Sequence, residues 1–172
     1  MRNNNLFINI LRFILLVLAQ VFIFNKINLG GIVNPMVYPL FIILLPFETN
    51  KNLSLILAFM LGLSVDLFTG SIGLHTSATV FMAFIRPLAF SVISSNRVFE
   101  SGVKPGINYL GFSWFISYTA FLVFAHHIFF FFIESFSFDN FGHTIFKALL
   151  STLASILLIV VVDILFKPQK QK

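Results

Sequence analysis

Hydrophobic residues along this chain fall into six long runs separated by short polar stretches. Most of the runs are long enough for a helix to cross a hydrocarbon core of about 30 Å. The predicted membrane-spanning segments cover residues 6–24, 32–47, 53–70, 72–93, 108–133 and 144–166. The pattern therefore predicts an all-α integral membrane protein, a six-helix transmembrane bundle that forms a single domain over residues 1–172.

The second run, residues 32–47, is the least regular of the six. It contains Pro35, Pro39 and Pro46, and a proline inside a helix removes a backbone donor and bends the helix. The pattern is compatible with a bent span or with a re-entrant piece that is buried by its neighbours. We favour a span, because the run contains no charge and would extend about 24 Å as a helix.

Composition supports membrane insertion and excludes several other classes. Of the 172 residues, 58% are apolar and 10% are charged, whereas a soluble domain carries about 25% charged residues. The chain has no cysteine, which excludes disulfides, thiolate metal sites and cysteine nucleophiles. The net charge of +5 lies mostly in loops and at the C-terminus, so it indicates orientation rather than a nucleic-acid partner.

Loop charges orient the six predicted spans. With a cytoplasmic N-terminus, seven lysines and arginines lie inside and two lie outside. The inside set is Arg2, Lys51, Arg97, Lys104, Lys167, Lys170 and Lys172, and the outside set is Lys26 and Lys147. A five-span arrangement that omits residues 32–47 gives the same ratio. The C-terminus is thus predicted to be cytoplasmic, and the N-terminus is cytoplasmic if the second run crosses.

A row of small residues with one carboxylate marks the third run. At four-residue steps the row contains Ala58, Gly62, Asp66 and Gly70. Small residues at this spacing allow two helix backbones to approach closely in a bilayer. A carboxylate among apolar residues is costly unless it faces a partner or water, so Asp66 is expected to face another helix. The fourth run is the natural neighbour, because it has a small and mildly polar face.

The other ionisable residues within the runs suggest pairing rather than catalysis. Arg12, Arg86 and Asp163 are predicted in the inner half, where either arginine could pair with Asp163 or extend to the headgroups. Arg86 and Asp66 differ in depth by about 10 Å, too far for a simple ion pair. Adjacent His126 and His127 point about 100° apart on a helix, which argues against a metal site. No catalytic motif is present, so neither enzyme activity nor a cofactor is expected.

The third and fourth runs carry a family resemblance. Gly62, Asp66 and Gly70, followed by Gly73, Leu74 and His75, resemble the rod shape-determining protein MreD family. The resemblance implies a fold similar to the substrate-binding membrane subunits of energy-coupling-factor transporters. It also implies a role in partner binding or helix packing for Ala58, Gly62, Asp66, Gly70, Gly73 and His75.

The resemblance also implies a function and a location. It predicts a non-enzymatic scaffold in the bacterial inner membrane that belongs to the cell-elongation (rod) complex. Such a subunit would bind an MreC-like single-span protein and act indirectly on MreB filaments and the peptidoglycan synthase pair, thereby influencing cell shape. Self-association as a homodimer is left open.

The alternative is a membrane substrate-binding subunit of a small-molecule (vitamin-type) transporter. That function requires an enclosed pocket with several convergent polar groups that opens outward. Asp66, His75, His126 and Asn140 are the residues that could supply some of those groups.

Overall fold

The computed structural model describes residues 2–27, 31–71, 73–94, 105–136 and 140–166. Its helices are α1 (Arg2–Phe22), α2 (Leu40–Ile43), α3 (Lys51–Thr69), α4 (Leu74–Ile93), α5 (Ile107–Leu110), α6 (Phe112–Ser135) and α7 (Phe141–Leu165). A 3-10 turn, Phe24–Lys26, follows α1.

Within these residues, five helices are long and apolar enough to cross a membrane. They are Phe7–Lys26, Lys51–Thr69, Leu74–Ile93, Phe112–Ser135 and Phe141–Leu165. The prediction of an all-α protein with apolar helices of spanning length is confirmed at this level. The sixth helix is not found, because residues 32–47 contain only the single turn of α2.

Each of the long helices α3, α4 and α6 runs antiparallel to the long helix that follows it in the chain, the last of which is α7. At one end of the bundle, Trp114 at the start of α6 donates a hydrogen bond to Ser94 at the end of α4, with an Nε1–Oγ distance of 2.8 Å. At the other end, the ring of His75 at the start of α4 lies 4.8 Å from that of Phe130 near the end of α6. We call the end that contains Trp114 the Lys51 end, because α3 begins there at Lys51. We call the opposite end the His75 end, because His75 is the second residue of α4.

Residues 32–47 pass through the core of the bundle towards the Lys51 end. The N–H groups of Asn34 and Met36 donate to the hydroxyls of Ser151 and Ser155 on α7, at 3.0 and 2.8 Å. Farther along, the Phe47 ring lies 4.4 Å from the Phe90 ring, at the Lys51 end. The second run is thus a buried and mostly irregular pass, in place of the bent helical span that we favoured.

The prolines explain why this pass is not a helix. The side chain of Gln20 provides hydrogen-bond partners for backbone groups of the pass. Irregular backbone at membrane depth is tolerated only where protein groups replace water as hydrogen-bond partners. Gln20 on α1 accepts from the N–H of Val37 at 2.8 Å and donates to the carbonyl of Pro35 at 3.2 Å. Val37 and Tyr38 are fully buried. The pass therefore forms part of the core and is held by side chains from α1 and α7.

Candidate functional site

The turn between α3 and α4 depends on two glycines. Gly70 ends α3 with φ 72°, and Gly73 precedes α4 with φ 78°. Both values lie in the left-handed region, where a side chain is strained. A Cβ added at either glycine would meet nothing within 4 Å, so these residues are needed for their backbone conformation and not for close packing. Within this chain Gly70 and Gly73 therefore serve the turn rather than close packing, and their predicted role in partner binding stays a prediction.

Gly62 allows α3 and α4 to approach each other closely. A Cβ at this position would lie 2.4 Å from the Cα of Thr76 and 2.7 Å from the carbonyl oxygen of His75. Both atoms belong to the backbone of α4, which cannot move aside as a flexible side chain would. Ala58, one turn earlier on α3, is fully buried. The small-residue face of α3 thus packs against α4 of the same chain.

The Asp66 carboxylate binds the first turn of α4. Its Oδ1 accepts hydrogen bonds from the Ser71 hydroxyl at 2.8 Å and from the His75 N–H at 3.0 Å. Its Oδ2 accepts from the N–H and the hydroxyl of Thr76, at 2.9 and 2.6 Å. The first N–H groups of a helix have no partner within the helix, and a negative charge is favourable there. Asp66 therefore caps α4 from the neighbouring helix, which explains how the bundle accommodates this acid.

His75 and Ser71 complete this cluster but do not form a catalytic triad. The Nδ1 atom of His75 lies 3.0 Å from Asp66 Oδ1 and 2.8 Å from the Ser71 hydroxyl oxygen. In a Ser-His-Asp triad the acid and the hydroxyl bind opposite ring nitrogens. Here both contact the same nitrogen, so the histidine is positioned as part of the cap and does not connect a base to a nucleophile.

A second buried polar group links the irregular pass to α4 and α6. The hydroxyl of Tyr38 lies 2.8 Å from Nε2 of His126, and the hydroxyl of Thr79 donates to Tyr38 at 3.3 Å. His127 donates to the Val123 carbonyl at 2.8 Å. In the described part of the chain, no group of three or more histidine, cysteine, aspartate or glutamate residues could hold a metal ion. The two histidines serve instead to anchor the core.

The two arginines within the runs have different surroundings in the structure. Arg86 is 6% exposed and donates through Nη2 to the carbonyl oxygens of Leu45 and Pro46. The alternatives in which Arg86 pairs with Asp163 or extends to the headgroups are therefore wrong. Arg12 and Asp163 do line a common groove of about 250 Å³ at the Lys51 end, where Asp163 also accepts from the Ile107 N–H at 3.2 Å.

Sequence reasoning missed the residues that hold the irregular pass. Gln20, Tyr38 and Ser155 all make buried hydrogen bonds to or from this segment. A glutamine inside an apolar run was an available signal, because a buried amide requires partners. Besides Asn25, five positions away, the partners of Gln20 include groups of the irregular pass 15 and 17 positions away, which no local pattern reveals.

Known proteins add no relative to this description. No protein-family model, curated protein or solved structure matches this chain.

Proposed function

We propose that this protein is a non-enzymatic scaffold subunit of the bacterial cell-elongation complex in the inner membrane. In this proposal it binds an MreC-like single-span membrane protein through its transmembrane helices. The observation that carries the proposal is the α3–α4 hairpin. Asp66 accepts hydrogen bonds from polar groups at the turn and at the start of α4, while apolar side chains cover the outer surface of the hairpin. Leu67 is 75% exposed and Phe68 is 62% exposed beside the turn.

A fixed apolar hairpin suits binding between transmembrane helices. In a bilayer, helices associate through close packing and a few hydrogen bonds, because lipid tails are as apolar as leucine. The Asp66 cap and the Gly62 contact hold α3 and α4 in one relative position, so the exposed side chains of α3 form a preorganised surface. Preorganisation lowers the entropic cost of binding a partner helix.

The same contacts favour a scaffold over a transporter subunit. A substrate pocket needs convergent polar groups that face a cavity. Asp66, His75 and His126 make hydrogen bonds within the protein, and none of them lines the 250 Å³ groove or a second, smaller cavity of about 160 Å³ beside Lys51. These polar groups are therefore part of the internal structure.

Orientation and indirect partners follow from the proposal. In this proposal the Lys51 end and both termini lie in the cytoplasm, and the positive-inside rule applied to the basic residues outside the spans supports that orientation. From there the complex would connect to MreB filaments, while its single-span partner would connect to the peptidoglycan synthase pair.

Co-purification from solubilised membranes tests the proposal. The tagged protein is expected to retain an MreC-like single-span protein, and Phe68→Ala is expected to lower the retained amount several-fold. Phe146→Ala is the matched control, because Phe146 is 52% exposed on α7, away from the hairpin. Equal loss in both variants would count against the hairpin surface.

Two other outcomes would reject the proposal altogether. One is a purified protein that ignores single-span partners and retains a small molecule, which would support transport. The other is full retention of the partner by the Phe68→Ala variant and by a Leu67→Ala, Phe68→Ala double variant. Gly62→Leu is unsuitable for this test, because a side chain there collides with the α4 backbone and would disrupt the hairpin itself.

A further inference from the structure

The groove that Arg12 and Asp163 share at the Lys51 end lies between α1, α2, α5 and α7. Its volume is about 250 Å³, and most of the residues that line it are apolar. Two of them, Leu11 and Leu15 on α1, are 45% and 47% exposed, so the groove opens sideways, towards the lipid around the helices. Neither the hairpin cap nor the proposed partner surface uses these residues. The apolar lining includes Leu11, Leu15, Leu40, Leu44 and Val162.

Two residues place part of this groove near the level of the lipid headgroups. Asp163 stands two positions before Leu165, where α7 ends. Tyr109 on α5 also lines the groove and is 47% exposed. Tyrosine prefers the boundary between membrane and water, because its ring is apolar and its hydroxyl is polar. A molecule in the groove would therefore have its polar part beside Asp163 and Tyr109 and its apolar part along the leucines.

Arg12 brings a positive charge to the groove. Its side chain is partly buried and makes no hydrogen bond or ion pair with a residue that the structure describes. The Asp163 carboxylate interacts with it electrostatically, but the two groups are too far apart for an ion pair. A guanidinium withdrawn from water requires acceptors, and phosphate oxygens match its planar set of donors. Arg12 therefore indicates a ligand that contains a phosphate group.

Asp163 brings a negative charge to the same groove. Its Oδ2 atom accepts from the Ile107 N–H at 3.2 Å, which orients the carboxylate. An ionised carboxylate has about four acceptor sites, so this bond leaves capacity for a further donor. Of the described residues that line the groove, only Arg12 and Asp163 are charged. A purely anionic ligand would be repelled by Asp163, whereas a ligand that carries both charges would be attracted by each residue.

We propose that this groove binds one zwitterionic phospholipid with a primary amine, which is a phosphatidylethanolamine. An acyl chain lies along the leucines, the phosphate accepts hydrogen bonds from Arg12, and the ammonium group donates to Asp163. The proposal requires that the helices cross a membrane. It goes beyond the scaffold function and does not depend on it.

Lipid titration of the full-length protein in detergent tests the proposal, followed by native mass spectrometry and by thermal unfolding. The probes are phosphatidylethanolamine, phosphatidylcholine and phosphatidylglycerol with the same acyl chains. Phosphatidylethanolamine is expected to bind saturably, one molecule per chain, and to raise Tm. Phosphatidylcholine is expected to bind about tenfold more weakly, because its quaternary ammonium has no N–H to donate to a carboxylate. Phosphatidylglycerol should also bind more weakly, because it has no positive charge.

Three outcomes of the titration overturn the proposal. Equal affinity for the three lipids would show that the headgroup is not recognised. Tighter binding of phosphatidylglycerol would assign the groove to an anionic lipid. A dimer without bound lipid in the mass spectrum would assign the groove to a second copy of the chain.

Two variants connect the headgroup preference to the groove. Asp163→Asn keeps an acceptor for the Ile107 N–H but removes the charge, so the preference for phosphatidylethanolamine over phosphatidylcholine should disappear while phosphatidylcholine still binds. Arg12→Gln should weaken the binding of both lipids, because both contain the phosphate. Glu134→Gln is the matched control, since Glu134 pairs with Lys147 near the end of α6, away from the groove.

The ratio of the two affinities separates recognition from a structural role. A variant that only loosens the fold lowers the affinity for both lipids together and leaves their ratio unchanged. If Asp163→Asn keeps the wild-type ratio, the proposal is overturned.

Discussion

The carboxylate of Asp66 on α3 accepts two hydrogen bonds from Thr76 on α4, one from the backbone N–H at 2.9 Å and one from the hydroxyl at 2.6 Å. The residue at the N-cap position of α4 is Gly73, which has no side chain to bind these first N–H groups. Asp66 supplies that missing cap from ten positions earlier in the chain. The cap therefore joins the two helices and also stabilises the N-terminal end of α4.

Asp66→Asn is expected to lower the free energy of unfolding by about 2 kcal/mol, because an amide places two donors against groups that are themselves donors. The measurement is equilibrium unfolding in mixed detergent micelles, followed by circular dichroism. Ser71→Ala, which removes only one of the hydrogen bonds to the carboxylate, should cost less than Asp66→Asn. Similar stability of Asp66→Asn and the wild type would contradict the capping role.

Gly62→Ala is expected to destabilise the protein, whereas Gly142→Ala is not. A Cβ at Gly62 would lie 2.4 Å from the Thr76 Cα, so Gly62→Ala should destabilise the protein by about 1–3 kcal/mol. Gly142 is also helical but has nothing within 4 Å of an added Cβ, so Gly142→Ala should be neutral or stabilising by up to about 1 kcal/mol. The same unfolding measurement compares them, and equal destabilisation would show that close approach is unimportant at Gly62.

Gln20→Leu is expected to loosen the irregular pass. The substitution leaves the Val37 N–H and the Pro35 carbonyl without their Gln20 partner in the core, at a cost of about 2 kcal/mol. Hydrogen exchange followed by mass spectrometry should show faster exchange in residues 32–47 than in α6. Ser117→Ala is the control, because the Ser117 hydroxyl is exposed and bonds only to the Ser113 carbonyl of its own helix. Unchanged protection of the pass in Gln20→Leu would refute this role of the amide.

Single-cysteine labelling is expected to place Asn50 and Thr69 on opposite sides of the membrane. Both residues are exposed at opposite ends of α3, and the chain has no native cysteine to give background. A membrane-impermeant maleimide added to intact spheroplasts should label Thr69→Cys, and Asn50→Cys should react only after the membrane is opened. A tag at the N-terminus should be accessible on the same side of the membrane as Asn50, because residues 32–47 return the chain to the Lys51 end. A tag on the Thr69 side would show that this segment does not cross.

Local pattern predicted the long helices well because their signals are local. The runs predicted at residues 53–70, 72–93 and 144–166 correspond to helices at Lys51–Thr69, Leu74–Ile93 and Phe141–Leu165. Apolar length and the glycines of the turn are properties of consecutive residues, so they can be recognised without knowing the fold. The error at residues 32–47 arose because three prolines leave the choice between a bent helix and irregular chain to the surroundings.

The sequence by itself determined the membrane class, the position of the hairpin turn and the small-residue face around Asp66, since composition and helical period are sufficient for these. Only the tertiary structure decided that Asp66 caps α4, that Arg86 binds the Leu45 and Pro46 carbonyls, and that Gln20 supports an irregular core segment. Each of these contacts joins groups that are between nine and 41 positions apart. Their partners are selected by which backbone groups the packed helices leave unsatisfied, and that is a property of the assembled bundle rather than of any stretch within it.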